Sequence, residues 1–221
     1  MPEFKTEPLI VPSISGLLPE GERNRRVALT SFASSQERAK VPTREVVCYE
    51  CGGRCEVPAA ALSAACPRCH AHLNMADVEL KSGLKRTTVR TLGDVIVPSD
   101  IVVSHLSITC RDLTVYGVAT GAFQCSGRLK VRGTLNEDGK FGTALLQVKK
   151  GGRVHLAHIA EVGGAVINGL VEGDLRSRGE IVIRRNGELR GNCRCASLTI
   201  EPGGKHIGRF SRYSDRYLEN P

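Results

Sequence analysis

The sequence predicts a mainly β protein: a single-chain parallel β-helix of about six to seven rungs, preceded by a small cysteine-rich module. Three observations predict it. Apolar-x-apolar triplets recur at Val95-Ile96-Val97, Leu113-Thr114-Val115, Leu129-Lys130-Val131, Leu146-Gln147-Val148, Ala165-Val166-Ile167, Ile181-Val182-Ile183 and Leu198-Thr199-Ile200, at spacings of 18, 16, 17, 19, 16 and 17 residues. No proline interrupts the stretch between Pro98 and Pro202, where proline would remove a ladder donor. Aromatic residues are few, with five Phe, four Tyr and no Trp, which suits a narrow interior filled by Val, Ile and Leu.

Taken in chain order, residues 1–43 read as a disordered tail, because five of the ten prolines fall in the first 42 residues and no apolar period is sustained. Within it, Phe4, Leu9, Ile10, Val11, Ile14, Leu17 and Leu18 precede Arg23, Arg25 and Arg26, a pattern that can lie on an anionic membrane surface. Residues 44–76 form a cysteine module, 77–94 a linker, 95–210 the β-helix and 211–221 a C-terminal tail. In the β-helix each period of ~17 residues holds two or three short strands, and alternation points every second side chain inward. Glycines at the corners (Gly117, Gly133, Gly169, Gly191, Gly208) are expected to supply positive φ. A β-sandwich is the competing fold, but sandwiches rarely hold so even a period.

The strongest chemical signal is Cys48-Tyr-Glu-Cys51 followed, fourteen residues later, by Cys66-Pro-Arg-Cys69. Each C-x2-C pair turns two sulfurs toward one ion, and two pairs complete a tetrahedral thiolate site, so one structural zinc ion per chain is expected. A closed four-sulfur site leaves no position for a reactive water. Cys55 reads as a packed or free thiol, and His70 and His72 as solvent-facing side chains. Cys110, Cys125, Cys193 and Cys195 read as small core residues, with a second metal site at Cys193 and Cys195 as the alternative.

Lys and Arg total 31 against 23 Asp and Glu, a formal net charge of +8, with eighteen basic and twelve acidic residues in 95–221. That spread does not describe a dedicated nucleic-acid arm. No run approaches the ~20 apolar residues of a membrane span, and the N-terminus lacks the pattern of a secretory leader. The expected location is the cytoplasm, with peripheral contact at the inner face of the membrane. Enzyme classes fit poorly. The carboxylates of the repeat stand singly rather than paired for glycoside chemistry, and no phosphate-cradling loop or nucleophile elbow occurs.

The run Ile181-Val-Ile-Arg-Arg-Asn-Gly-Glu-Leu-Arg-Gly-Asn-Cys-Arg-Cys-Ala-Ser-Leu-Thr-Ile-Glu-Pro-Gly-Gly-Lys-His-Ile-Gly resembles the closing rungs of bactofilins, the bacterial polymer-forming cytoskeletal proteins. Ala165-Val-Ile-Asn-Gly-Leu-Val-Glu-Gly-Asp-Leu-Arg-Ser-Arg-Gly fits the same pattern, and residues 44–76 resemble small bacterial zinc ribbons. The resemblance implies a right-handed β-helix, end-to-end assembly without a nucleotide and, in some members, membrane binding through an N-terminal tail. The cysteine module in front of the helix is a departure from that layout. The expected function is a non-enzymatic scaffold that self-assembles and localises an unidentified protein cargo. Ile207 and Phe210 are the expected contacts at the last turn. Val95, Val97, Ile101 and Val103 are the expected edge at the first, covered by the ribbon. The alternative is a nucleic-acid-binding protein using Arg176, Arg178, Arg184, Arg185, Arg190 and Arg194 as an anion-binding stripe.

Overall fold

The computed structural model describes residues 42–81 and 88–212. The expectations for the tail, its membrane-binding segment included, and for residues 213–221 lie outside these residues.

The first module is two small antiparallel pairs, β1 (Thr43–Val47) with β2 (Arg54–Pro58) and β3 (Ser63–Ala65) with β4 (His72–Asn74). Beyond it every pairing is parallel, and the strands close on themselves as a three-faced coil of about eight turns. Alternation makes the coil. On the first face the inward ladders run Val95, Leu113, Leu129, Leu146, Ala165, Ile181, Leu198 and Val97, Val115, Val131, Val148, Ile167, Ile183, Ile200, each residue paired in register with the next. All seven triplets of the sequence lie on this face. β-branched side chains stacked at ~4.8 Å fill an interior too narrow for water.

The second face carries the ladder Val89, Ile108, Phe123, Phe141 and ends in Leu175, Cys193, Phe210. The third runs Val103, Ala119, Leu135, Val154, Val171, Leu189, His206. Cys110, Cys125, Cys193 and Cys195 are buried in this core, as expected of small apolar residues.

Two expectations are corrected. The described part of the expected linker, 77–81 and 88–94, carries strands instead: β5 (Val78–Glu79) and β6 (Thr88–Arg90) pair in parallel with β7 (Val95–Val97) and β8 (Val102–Cys110), adding a turn to the six or seven expected. The short Val-Glu and Thr-Val-Arg segments carry too little apolar content to announce strands on their own. The corner glycines also serve a different purpose from the one expected. Only Gly191 and Gly208 of the five have φ in the positive region, +140° and +149°. At Gly117, Gly133 and Gly169 an added Cβ would lie 2.3, 2.0 and 2.3 Å from a backbone oxygen of an adjacent turn. There the requirement is room for the stacked backbone.

Candidate metal centre and assembly ends

The two knuckles of the ribbon are built alike. The amide of Gly52 donates to the Cys48 carbonyl at 2.9 Å and that of His70 to the Cys66 carbonyl at 2.8 Å. The residue closing each turn has positive φ, +66° at Gly52 and +59° at His70. Glycine takes this conformation freely, whereas His70 adopts it with a side chain. The amides of Glu50 and Gly53 donate to the Cys48 and Cys51 sulfurs, both at 3.4 Å.

These turns bring the sulfurs of Cys48, Cys51, Cys66 and Cys69 within 4.8 Å of one another. Cys48 to Cys69 and Cys51 to Cys66 are each 3.7 Å, too long for a bond and close to the ~3.8 Å edge of a tetrahedron with metal–sulfur distances near 2.3 Å. The donor set therefore fits a four-sulfur metal site. Backbone amides of Cys69 and Arg68 pull the Cys66 thiol down to about 6. At Cys69 the Ala71 amide favours the thiolate, but burial and the three neighbouring sulfurs outweigh it and push the thiol up to about 12. Four sulfurs this close share negative charge stably only around a cation. Cys55 stays outside the set: it is buried, donates to the Val46 carbonyl at 3.7 Å, and is pushed up by burial and then by Cys66. His70 and His72 are exposed.

The ribbon is joined to the first turn. The Leu92 amide donates to the Asn74 carbonyl at 2.7 Å, the buried Thr91 hydroxyl to Ala76 at 2.7 Å, and Arg90 pairs with Glu50. Leu92 packs against the cysteine cluster. Of the expected edge of Val95, Val97, Ile101 and Val103, the first two lie behind an earlier strand. Val95 and Val97 are at most 1% exposed, and β5 precedes them with Val78 paired to Val95, whereas β6 pairs with Ser107–Thr109; Ile101 is 4% exposed and Val103, first in its ladder among the described residues, is half-buried. Inward-facing Leu80 and Val89 of the first turn are 1% and 8% exposed.

The last turn differs. Register places Leu198, Ile200, His206 and Phe210 at the ends of inward ladders. No strand among the described residues follows them. Ile200 is 45% and Phe210 47% exposed. Ile207 is exposed too, but it continues the outward row of Glu172 and Arg190 and so faces sideways. Ile200 and His206 were not singled out in the sequence. The signal was there: no eighth triplet follows Leu198-Thr199-Ile200 to cover it.

The six arginines do not form one stripe. Arg184 pairs with Glu201, and Arg190 with Glu188 at 2.7 Å and Glu172 at 3.1 Å. Arg176, Arg178 and Arg194 instead line a surface groove of about 660 Å³ on the second face. Cys193 lies 3.6 Å from the His206 Nε2 atom, and among the described residues the four ribbon cysteines are the group that could hold a metal ion.

Residues 121–211, 91 of the chain's 221, match the family model described as Bactofilin, polymer-forming cytoskeletal. The match covers the last five strands of the first face, begins within the third turn and leaves out the ribbon and the first two turns. No curated protein and no solved structure matches the chain. No helix among the described residues is long and apolar enough to cross a membrane.

Proposed function

We propose that the chain is a bactofilin-type scaffold that assembles through the last turn of its β-helix, while a zinc-bearing ribbon closes the first. The observation that carries this reading is the difference between the two ends. The inward side chains Leu80 and Val89 are buried at one, and Ile200 and Phe210 are about half exposed at the other. A coil whose last turn presents apolar side chains and strand edges needs either a cap or a partner. A second copy meeting it about a two-fold axis supplies identical, self-complementary surfaces. The family match over 121–211 supports assembly as the purpose. Localisation of a protein cargo, and contact of residues 1–41 with an anionic membrane from the cytoplasmic side, belong to the same proposal.

The zinc ion would be held by Cys48, Cys51, Cys66 and Cys69 and would supply structure alone. The ribbon's own buried cluster is Cys48, Cys55, Cys66 and Leu73, too small to fold unaided. With one end closed, the default assembly is a pair. The nucleic-acid reading has less support, since Arg184 and Arg190 are neutralised by carboxylates.

Sedimentation velocity and negative-stain microscopy of the full chain, with its zinc content measured, test this reading. The wild type is expected to carry one zinc per chain and to sediment as a pair. Cys48→Ser with Cys51→Ser, or a chelator, is expected to open the first turn and yield longer polymers. A wild type that stays monomeric as concentration rises overturns the end contact, and an unchanged pair after zinc loss overturns the capping.

A further inference from the structure

The groove on the second face, about 660 Å³, has a coherent chemistry. Its floor is the outward row Gln124, Gly142, Glu161, Arg176, Arg194, one residue per turn in register. At ~4.8 Å per turn these five positions span ~19 Å. Gly142 leaves a dip in the row, where an added Cβ would meet only the Gln124 side-chain nitrogen, at 3.3 Å, and the Glu161 carbonyl, at 4.0 Å. Lys140 and Arg178 stand along the sides, and Ile159, 48% exposed, adds an apolar flank.

The charge here is not neutralised as it is elsewhere on the coil. Arg111, Arg128, Arg184 and Arg190 each pair with an Asp or Glu, most often one on the neighbouring turn. Lys140, Arg176 and Arg178 have no ion pair or side-chain hydrogen bond among the described residues. Lys140, Arg176 and Arg178 outnumber Glu161, the one carboxylate on the groove's lining, so the groove is net positive, with Arg194 at its far end. At its rim the His158 ring is held by Glu137, whose side chain is fully buried. The ring nitrogen lies 3.0 Å from the carboxylate, which also accepts from the His158 amide at 2.9 Å. A buried carboxylate that orients an exposed imidazole makes His158 a fixed part of the wall.

We propose that this groove binds an extended acidic peptide segment of a partner protein. The cations are distributed over three steps of the coil, from the turn of Lys140 to that of Arg194, ~14 Å or the length of about four extended residues, rather than converging on one point as a single phosphate would require. Guanidinium groups one turn apart suit carboxylates carried on a strand. A single-stranded nucleic acid would need a run of stacking platforms, and the lining offers only Phe141, 8% exposed, and the His158 ring, which is tied to Glu137.

The test is fluorescence anisotropy with a labelled ten-residue peptide of alternating Glu and Ala, titrated with the full chain at moderate salt. Competition arms use inorganic phosphate and oligothymidylate. Saturable binding is expected, weakened at least tenfold by Arg176→Ala with Arg178→Ala and unchanged by Arg185→Ala, which removes the same kind of charge outside the groove. Gly142→Leu should block the groove without altering charge. Should that variant fail to fold, the exposed arginine pair carries the test. No saturable binding, an equal loss with Arg185→Ala, or displacement by oligothymidylate or phosphate at lower concentrations than unlabelled peptide each overturns the proposal. Sedimentation of the same variants reads assembly separately, so a failure here leaves the end-to-end contact independently judged.

Discussion

Replacing Phe210 by Arg tests the end-to-end contact at its centre. Burying a whole apolar side chain of this size is worth ~1.5–3 kcal/mol. Ile200 and Phe210 are about half exposed, so each still has roughly 1 kcal/mol to give, or ~4 kcal/mol over both copies. Association costs at least ~4 kcal/mol in lost freedom, so side chains alone would leave a weak pair. The exposed edges of Ser197–Ile200, Lys205–Ile207 and Phe210–Arg212 must add hydrogen bonds across the junction. Phe210→Arg removes about 2 kcal/mol of burial over the two copies. It also places a new charge beside Arg212, which shares the inward side of the same strand, and sets it against its symmetry mate. Desolvating unpaired guanidinium groups costs several kcal/mol more. The sum of at least ~4 kcal/mol corresponds to a dissociation constant raised about a thousandfold. Sedimentation equilibrium should then show monomers at concentrations where the wild type is paired, with zinc content and melting temperature unchanged. An unaltered size distribution would refute the assignment of Phe210 to the contact, and with it the argument from the exposed last turn.

Two further perturbations probe the coil itself. Gly133→Ala would put a methyl 2.0 Å from the Gly117 oxygen and 2.2 Å from that of Tyr116, both backbone. The turns must part, so thermal or urea unfolding should show a loss of ~3 kcal/mol or more, whereas Gly151→Ala, with open space and φ +82°, should cost about 1 kcal/mol. Glu137→Gln removes a buried carboxylate that burial alone would push up in pKa. The amides of His158 and Gly139 and the His158 ring outweigh burial and hold it below the ordinary glutamate value. A depressed acid stabilises the fold above its unfolded pKa, ~4.3, and loses that contribution as pH falls through the folded value. The variant should therefore melt lower than wild type at pH 6, by an amount equivalent to about 1–2 kcal/mol, and the gap should narrow at pH 3. A gap independent of pH would mean that the charge is irrelevant.

Much of the coil was legible because it repeats. Seven triplets at nearly constant spacing mark one face, and each has since found its neighbours in register. The four-cysteine cluster was legible for a similar reason, since C-x2-C is a local constraint whose geometry is carried by four adjacent residues. What escaped was nonlocal. The first turn is built from β5 and β6, too short to show a period, and they are recognisable only by the strands they pair with. The glycines were seen, but at Gly117, Gly133 and Gly169 the cause is an oxygen of Ile101, Gly117 and Gly152, 16 or 17 residues earlier in the chain. The groove depends on Lys140, Arg176 and Arg194 sharing one face across turns, which a linear charge count spreads out. The Glu137–His158 pair, 21 residues apart, has no local signature.

A parallel coil also explains why metal and assembly belong to one account. Every interior turn is covered by its neighbours, so stacking is favourable at each step and nothing in the ladder itself specifies where it ends. Termination has to come from something that is not another turn. At the first turn that element is the ribbon, joined through Thr91, Leu92 and the Arg90–Glu50 pair. Its four-residue buried cluster leaves metal coordination as its main source of stability. At the last turn no such element follows among the described residues, and the inward ladders simply stop at Ile200, His206 and Phe210. In the proposed assembly the two ends are chemically unlike, one closed by a module whose folding would depend on an ion and the other left for a second copy. The length of such an assembly would be tied to the occupancy of four sulfurs at least some 130 residues before Ile200 in the chain.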